Sequence, residues 1–188
     1  MAAFIALFDA CVLYPAPLRD LLLSLAQTEL FRARWTDEIQ DEWIHSLLRD
    51  RPELEKSLAR TRQLMTDAVP DCLITGYQSL IPSLNLPDEN DRHVLAAAIV
   101  GRASVIVTYN LKDFPQEALS PFNLFAEHPD QFIGNLFDLA PPQVAAEVKK
   151  LRARLKNPPL TVDELLDIYL KAGLPEVAAG LATMRDLL

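Results

Sequence analysis

Four acidic side chains, Asp9, Glu42, Asp91 and Asp113, stand where they could do chemistry together. Asp9 closes an apolar run over residues 2–8, Asp91 opens a helical run over 91–102, and Asp113 follows the apolar residues 105–107. In an open α/β sheet, ligands bind outside the carboxyl ends of the strands. Carboxylates gathered there repel one another and raise each other's pKa. A bound divalent cation removes that penalty, and hard oxygen donors suit Mg²⁺ or Mn²⁺. The pattern points to metal-dependent phosphoryl transfer or hydrolysis.

Each acid also has a local reading. Asp9 could cap the turn that begins Asp-Ala-Cys. Glu42 falls in a predicted helix over residues 36–49, beside Glu38 and Asp41, which read as a solvated acidic face. Glu42 shares its register with Ile39 and Trp43, so it points inward at the rim of the apolar stripe, where a carboxylate needs a partner. In Asp88-Glu-Asn-Asp91, either Asp88 or Asn90 caps the helix, and Asp91 enters its first turn, where the helix dipole favours the ionised form. Asn110 and Asp113 follow a strand; alone each reads as a turn residue, and the recurring strand-end pattern makes Asp113 the fourth acid.

Other chemistries are absent from the sequence. His45, His93 and His128 have no ligand spacing, so a zinc site is not expected, and His93 reads as a helix-surface residue. With only five glycines there is no phosphate-binding Gly-rich loop, and no Gly-x-Ser-x-Gly nucleophile turn occurs.

The elements that must position these acids follow from periodicity and punctuation. Residues 3–8 and 104–108 read as buried parallel strands, and residues 69–75 as a turn into a third short strand. Helices are expected over residues 18–30, 36–49, 52–65 and 91–102, with residues 81–87 as a connection. Beyond Phe125, prolines divide helical stretches at 143–155, 161–171 and 175–187, and Thr161-Val-Asp-Glu164 is a capping box. The expected fold is α/β, a parallel β-sheet flanked by helices, spanning residues 1–127, with a helical appendage at 128–188.

At 188 residues and 50% hydrophobic composition, the chain can bury a core of ordinary size. A net charge of −8 argues against a protein that coats nucleic acid, without excluding a nuclease whose own site is acidic. The apolar N-terminus is too short to span a membrane, and no signal peptide is visible. Cys11 and Cys72 read as reduced thiols, so a cytoplasmic location without membrane association is expected.

Together, Leu7-Phe-Asp-Ala-Cys-Val-Leu13, Glu42, Asp88-Glu-Asn-Asp-Arg-His-Val-Leu-Ala-Ala-Ala98 and Val107-Thr-Tyr-Asn-Leu-Lys-Asp-Phe114 resemble the PIN-domain family. The resemblance covers about residues 3–126 and is nearest to VapC-like toxins that carry a C-terminal helical extension. It implies a Mg²⁺- or Mn²⁺-dependent endoribonuclease, usually the toxin of a toxin–antitoxin pair. By motif position, Asp9, Glu42, Asp91 and Asp113 would be both catalytic and metal-binding, supported by Asn110, Asp88 and Thr108. Ala10 and Cys11 depart from the Thr or Ser that many relatives carry after the first acid. One or two ions would activate water, with Glu42 or Asp113 orienting it. Arg19, Arg92 and Lys112 are candidates for contact with RNA. The implied partners are RNA, an antitoxin encoded by the adjacent gene, and a second copy of the chain. The alternative is a catalytically silent PIN-like module that binds RNA or protein; a phosphatase- or receiver-like domain built on Asp9 ranks last, lacking a second acid two residues on.

Overall fold

A computed structural model describes residues 4–156 and 158–188. Four short parallel strands form one sheet in the order β2-β1-β3-β4: β1 (Ile5–Phe8), β2 (Arg32–Arg34), β3 (Val105–Val107) and β4 (Phe125–Glu127). The central pair aligns Ala6 with Val105 and Phe8 with Val107. Ala6, Leu7, Phe8 and all of β3 are fully buried, as expected for strands covered on both faces. The two carboxyl ends therefore meet side by side, and Asp9 N–H donates to Val107 O at 3.1 Å.

Helices α1 (Ala10–Leu13), α2 (Ala16–Ala26), α3 (Asp37–Asp50), α4 (Glu55–Ala68) and α5 (Arg92–Val100) fill the connections. Thr36 caps α3 as its sequence suggests, accepting from Ile39 N–H at 3.0 Å, a contact worth about 1 kcal/mol. Helix α2 stops before residue 30 because Glu29 takes a left-handed φ of 63°, which a right-handed helix cannot contain. The strand expected over residues 69–75 is reduced to one bridge between Leu73 and Trp35, since Asp71 is also left-handed (φ 58°) and breaks the extended run. Strands β2 and β4, absent from the sequence reading, occupy the two sheet edges.

After β4 come α6's successors in the chain: α6 itself (Gln116–Leu119) precedes that strand, and α7 (Pro129–Leu139), α8 (Pro141–Arg154), α9 (Val162–Lys171) and α10 (Pro175–Thr183) follow it. Helix α7 packs on the sheet through Phe132, whose ring meets Phe31 edge-on at 5.1 Å and Phe8 at 6.4 Å. The capping box of α9 forms, with Glu164 N–H donating to Thr161 Oγ1 and Thr161 N–H to Glu164 Oε2. Asp130, on α7, accepts from the N–H groups of Glu176 and Val177 at 3.0 and 2.9 Å, and so caps α10. Among the described residues no helix is long and apolar enough to cross a membrane.

Candidate active site

Asp9 sits immediately beyond β1 and is only 5% exposed. Its Oδ1 accepts from Ala10 N–H at 2.7 Å, so it does cap the short helix α1. Its Oδ2 accepts from Thr108 Oγ1 at 2.7 Å and from Cys11 Sγ at 3.1 Å. The capping read from the sequence is thus observed, and the second oxygen is held by two side chains. Cys11 occupies the position where Thr or Ser was the alternative and supplies a donor there. Burial and the charge of Asp9 push its thiol up to about 12, so it stays protonated at neutral pH. Thr108 Oγ1 in turn accepts from Asn110 N–H at 3.0 Å, tying the turn after β3 to the same carboxylate.

Glu42 projects from α3 toward α5 and meets His93, whose Nε2 lies 2.8 Å from Glu42 Oε1. His93 is therefore not a surface residue: it is 4% exposed. The reason lies in α5 itself, where every residue from His93 to Ala98 is buried, leaving no solvent face for a polar side chain to use. Its other nitrogen, Nδ1, is 3.6 Å from Glu38 Oε2. Glu38 is not simply solvated either, since the same oxygen accepts from Tyr77 Oη at 2.9 Å. Burial by itself would lower the His93 pKa, but the hydrogen bond and charge of Glu42, with Glu38 and Asp9 behind, together raise it.

Asp88, not Asn90, does the capping on the third side, accepting from Asn90 N–H at 2.9 Å to open the single 3₁₀ turn Glu89–Asp91. Asp91 follows as the N-terminal flank of α5 and makes no side-chain cap. Its carboxyl is raised to about 6, first by burial and then by the charges of Asp9, Asp88 and Asp113. That shift reports burial first, and after it the crowding of acids which the sequence implied. Asp9, Glu42, Asp88, Asp91 and Asn110 line one cleft of about 830 Å³. Asp113, at the end of the turn Leu111–Asp113, acts on Asp91 through its charge but is not among the residues lining the cleft.

The basic residues sort differently from expectation. Arg19, expected to contact RNA, does not line the acidic cleft: it is 7% exposed, lies 4.6 Å over the Trp43 ring, and donates from Nη1 to Leu13 O at 2.7 Å. Its charge is used to join α2 to α3 and is withdrawn from solvent. Arg92 folds back on Glu89, contacting its carboxylate at 3.1 Å. Lys112 is exposed beside the cleft loop. Arg49, which the sequence reading passed over, lines the cleft with Glu42 and Ser46. The signal was available, because positions 42, 46 and 49 repeat at helical spacing on one face of α3. A second cleft of about 720 Å³, between α2, α4 and the C-terminal helices, contains none of the four acids and is walled mainly by apolar side chains.

The donor set fits a hard divalent cation in chemistry: carboxylate oxygens, an adjacent amide side chain, and excess negative charge. Asp9, Glu42 and Asp91 are the residues on the cleft wall that could hold one. Among the described residues, no three Asp, Glu, His or Cys side chains are gathered tightly enough to enclose an ion, so binding would have to draw the carboxylates inward against their repulsion.

Comparison with known proteins agrees with this geometry. The family model described as VapC50 C-terminal domain matches residues 129–183. A protein named "Putative ribonuclease VapC50" from Mycobacterium tuberculosis (strain ATCC 25618 / H37Rv) is 43% identical over 104 residues, which are 55% of this chain and 60% of that protein. The chain thus spans less than two thirds of the length of the curated relative it matches. No solved structure matches. The family model for the PIN domain matches residues 6–112, from the first buried strand through the turn after β3. With that match covering more than half of the chain, and with a four-stranded parallel sheet that brings its acids to one cleft, this protein belongs to the PIN domain family.

Proposed function

We propose that this chain is a Mg²⁺- or Mn²⁺-dependent endoribonuclease and the toxin of a toxin–antitoxin pair. The observation that carries the proposal is the gathering of Asp9, Glu42, Asp88 and Asp91 on the wall of one cleft, where burial and neighbouring acids raise the Asp91 carboxyl to about 6. A protein gains nothing in stability from such a cluster, whereas a cation site requires one. The relative named as a ribonuclease supports the choice of RNA as substrate.

Asp9, Glu42, Asp91 and Asp113 would hold the cation, which when bound lowers the pKa of water and offsets charge building on the phosphate. Asp9 is fixed in orientation by Ala10, Cys11 and Thr108 before any ligand arrives. Glu42 or Asp113 would orient the attacking water as general base. Asn110, exposed at the cleft, presents an amide to the phosphate, and Arg49 with Lys112 supplies positive charge for the RNA backbone. Arg92 contributes less, being already paired with Glu89. We assign residues 1–127 to the nuclease unit and 128–188 to its helical extension. The partners proposed are an antitoxin encoded by the adjacent gene and a second copy of the chain, in the cytoplasm.

Incubating purified, antitoxin-free protein with total bacterial RNA, with and without Mn²⁺ or Mg²⁺, tests the proposal beside Asp91→Asn. Discrete metal-dependent fragments that vanish in the variant are expected. Absence of cleavage in both proteins would overturn it in favour of a silent RNA- or protein-binding module.

A further inference from the structure

Glu42 reaches the cleft on a half-exposed, flexible side chain, yet one of its oxygens is held from behind by a residue that lines no part of the cleft. His93 Nε2 meets Glu42 Oε1 at 2.8 Å, and the imidazole is 4% exposed. Glu38 and Glu42 lie one helical turn apart on α3, so both carboxylates face the same imidazole. Behind Glu38 stands Tyr77, donating at 2.9 Å to the oxygen nearest His93. The ring therefore sits between two acids of one helix, with Asp9 the next charge in reach. Among the described residues, Glu42 Oε2 accepts no hydrogen bond and remains available to the cleft. We infer that His93 is a positioning residue, which holds Glu42 Oε1 so that Oε2 is presented to a cation in the cleft.

This inference rests on the proposed function, in which Glu42 is one of the cation-holding acids. Its physical basis is general: a carboxylate ligand oriented by a buried hydrogen bond loses less side-chain freedom on binding, and removing such outer partners costs about 10–100-fold in metal affinity. A buried histidine that merely fills space would alter stability without being coupled to Glu42 in metal binding.

The test is a double-mutant cycle on Mn²⁺ affinity, measured by calorimetry on the full chain without RNA. His93→Leu is expected to raise the Mn²⁺ dissociation constant about tenfold or more. His93→Gln, which keeps an N–H donor, should recover most of that loss. The double variant His93→Leu/Glu42→Gln should bind no more weakly than Glu42→Gln alone. Wild-type affinity in a folded His93→Leu, or losses that simply add in the double variant, would overturn the inference. Should His93→Leu not fold, the wild-type imidazole supplies the readout: ¹⁵N-resolved NMR should show a protected Nε2–H resonance that is lost in Glu42→Ala, which has no acceptor there, and its persistence in that variant would overturn the inference. If Glu42→Gln weakens Mn²⁺ binding while the His93 variants do not, this inference alone falls. If wild-type protein binds no Mn²⁺, the proposed function falls and takes this inference with it.

Discussion

On one wall of the cleft, Asp9 and Glu42 accept hydrogen bonds from buried side chains, Thr108 and His93. Asp91, also on the cleft wall, and Asp113, outside it, accept none among the described residues, and burial with the charges of neighbouring acids raises the Asp91 carboxyl to about 6. The anchored acids are oriented by the folded protein itself. The unanchored ones are brought near each other by the fold but left in mutual repulsion, so their final arrangement depends on what binds. Folding itself orients the first pair, and the second would be completed only by a cation of the kind proposed above.

The sharpest way to break that comparison is to neutralise the anchored acid. Asp9→Asn should abolish metal-dependent RNA cleavage, a loss exceeding the roughly 10–100-fold that outer partners cost. A cleavage rate for Asp9→Asn close to wild type would show that the anchored wall is architectural only. Thr108→Val tests the anchor instead of the acid. It leaves Asp9 Oδ2 with Cys11 as its remaining donor, and should cost about 1–3 kcal/mol of stability in urea unfolding of the metal-free protein. An unchanged midpoint would mean that the hydroxyl contributes nothing to the fold.

Asp91→Asn should behave in the opposite sense. Without metal at pH 8, removing an unanchored charge from three like charges should raise the melting temperature above that of the wild type. The sign follows from linkage: a carboxyl whose folded pKa lies above its unfolded value adds stability while protonated and loses it as pH rises through the folded value, here about 6. The advantage of Asp91→Asn should therefore shrink as pH falls from 8 to 5. A melting difference independent of pH would contradict the raised carboxyl. The smallest effect is expected for Cys11→Ser, which keeps a hydroxyl donor toward Asp9 and should change stability by less than about 1 kcal/mol; a loss several times larger in thermal denaturation would give the thiol's size, and not its hydrogen bond, the leading role.

What the sequence made legible depended on the range of the interaction. Asp9 and Thr108 were readable because each ends a buried apolar strand, and a parallel sheet brings such ends together. Strand β2 was not, because Arg32-Ala33-Arg34 buries one small side chain between two arginines and carries no strand pattern. His93 was misread as a helix-surface residue, although the unbroken apolar run behind it already implied a helix with no free face. Arg19 and Trp43 meet only where α2 crosses α3, and nothing within either helix foretells that crossing. Asp113 matched its motif, yet its distance from the cleft wall depends on the path of a 3₁₀ turn, which residue types alone do not determine.

The loop that carries Asn110 and Asp113 has one further attachment. Tyr109 Oη donates at 2.7 Å to Ala172 O, at the end of α9, and its ring meets His128 edge-on at 5.0 Å. The turn beside the acids is thereby braced by a carbonyl 63 residues later in the chain. A shortened protein ending at 127 would keep all four acids and the whole sheet, but Tyr109 would have lost both its acceptor and its neighbour. The residues beyond 127 thus hold the cleft loop as well as the sheet, and removing them would strip Tyr109 of both contacts.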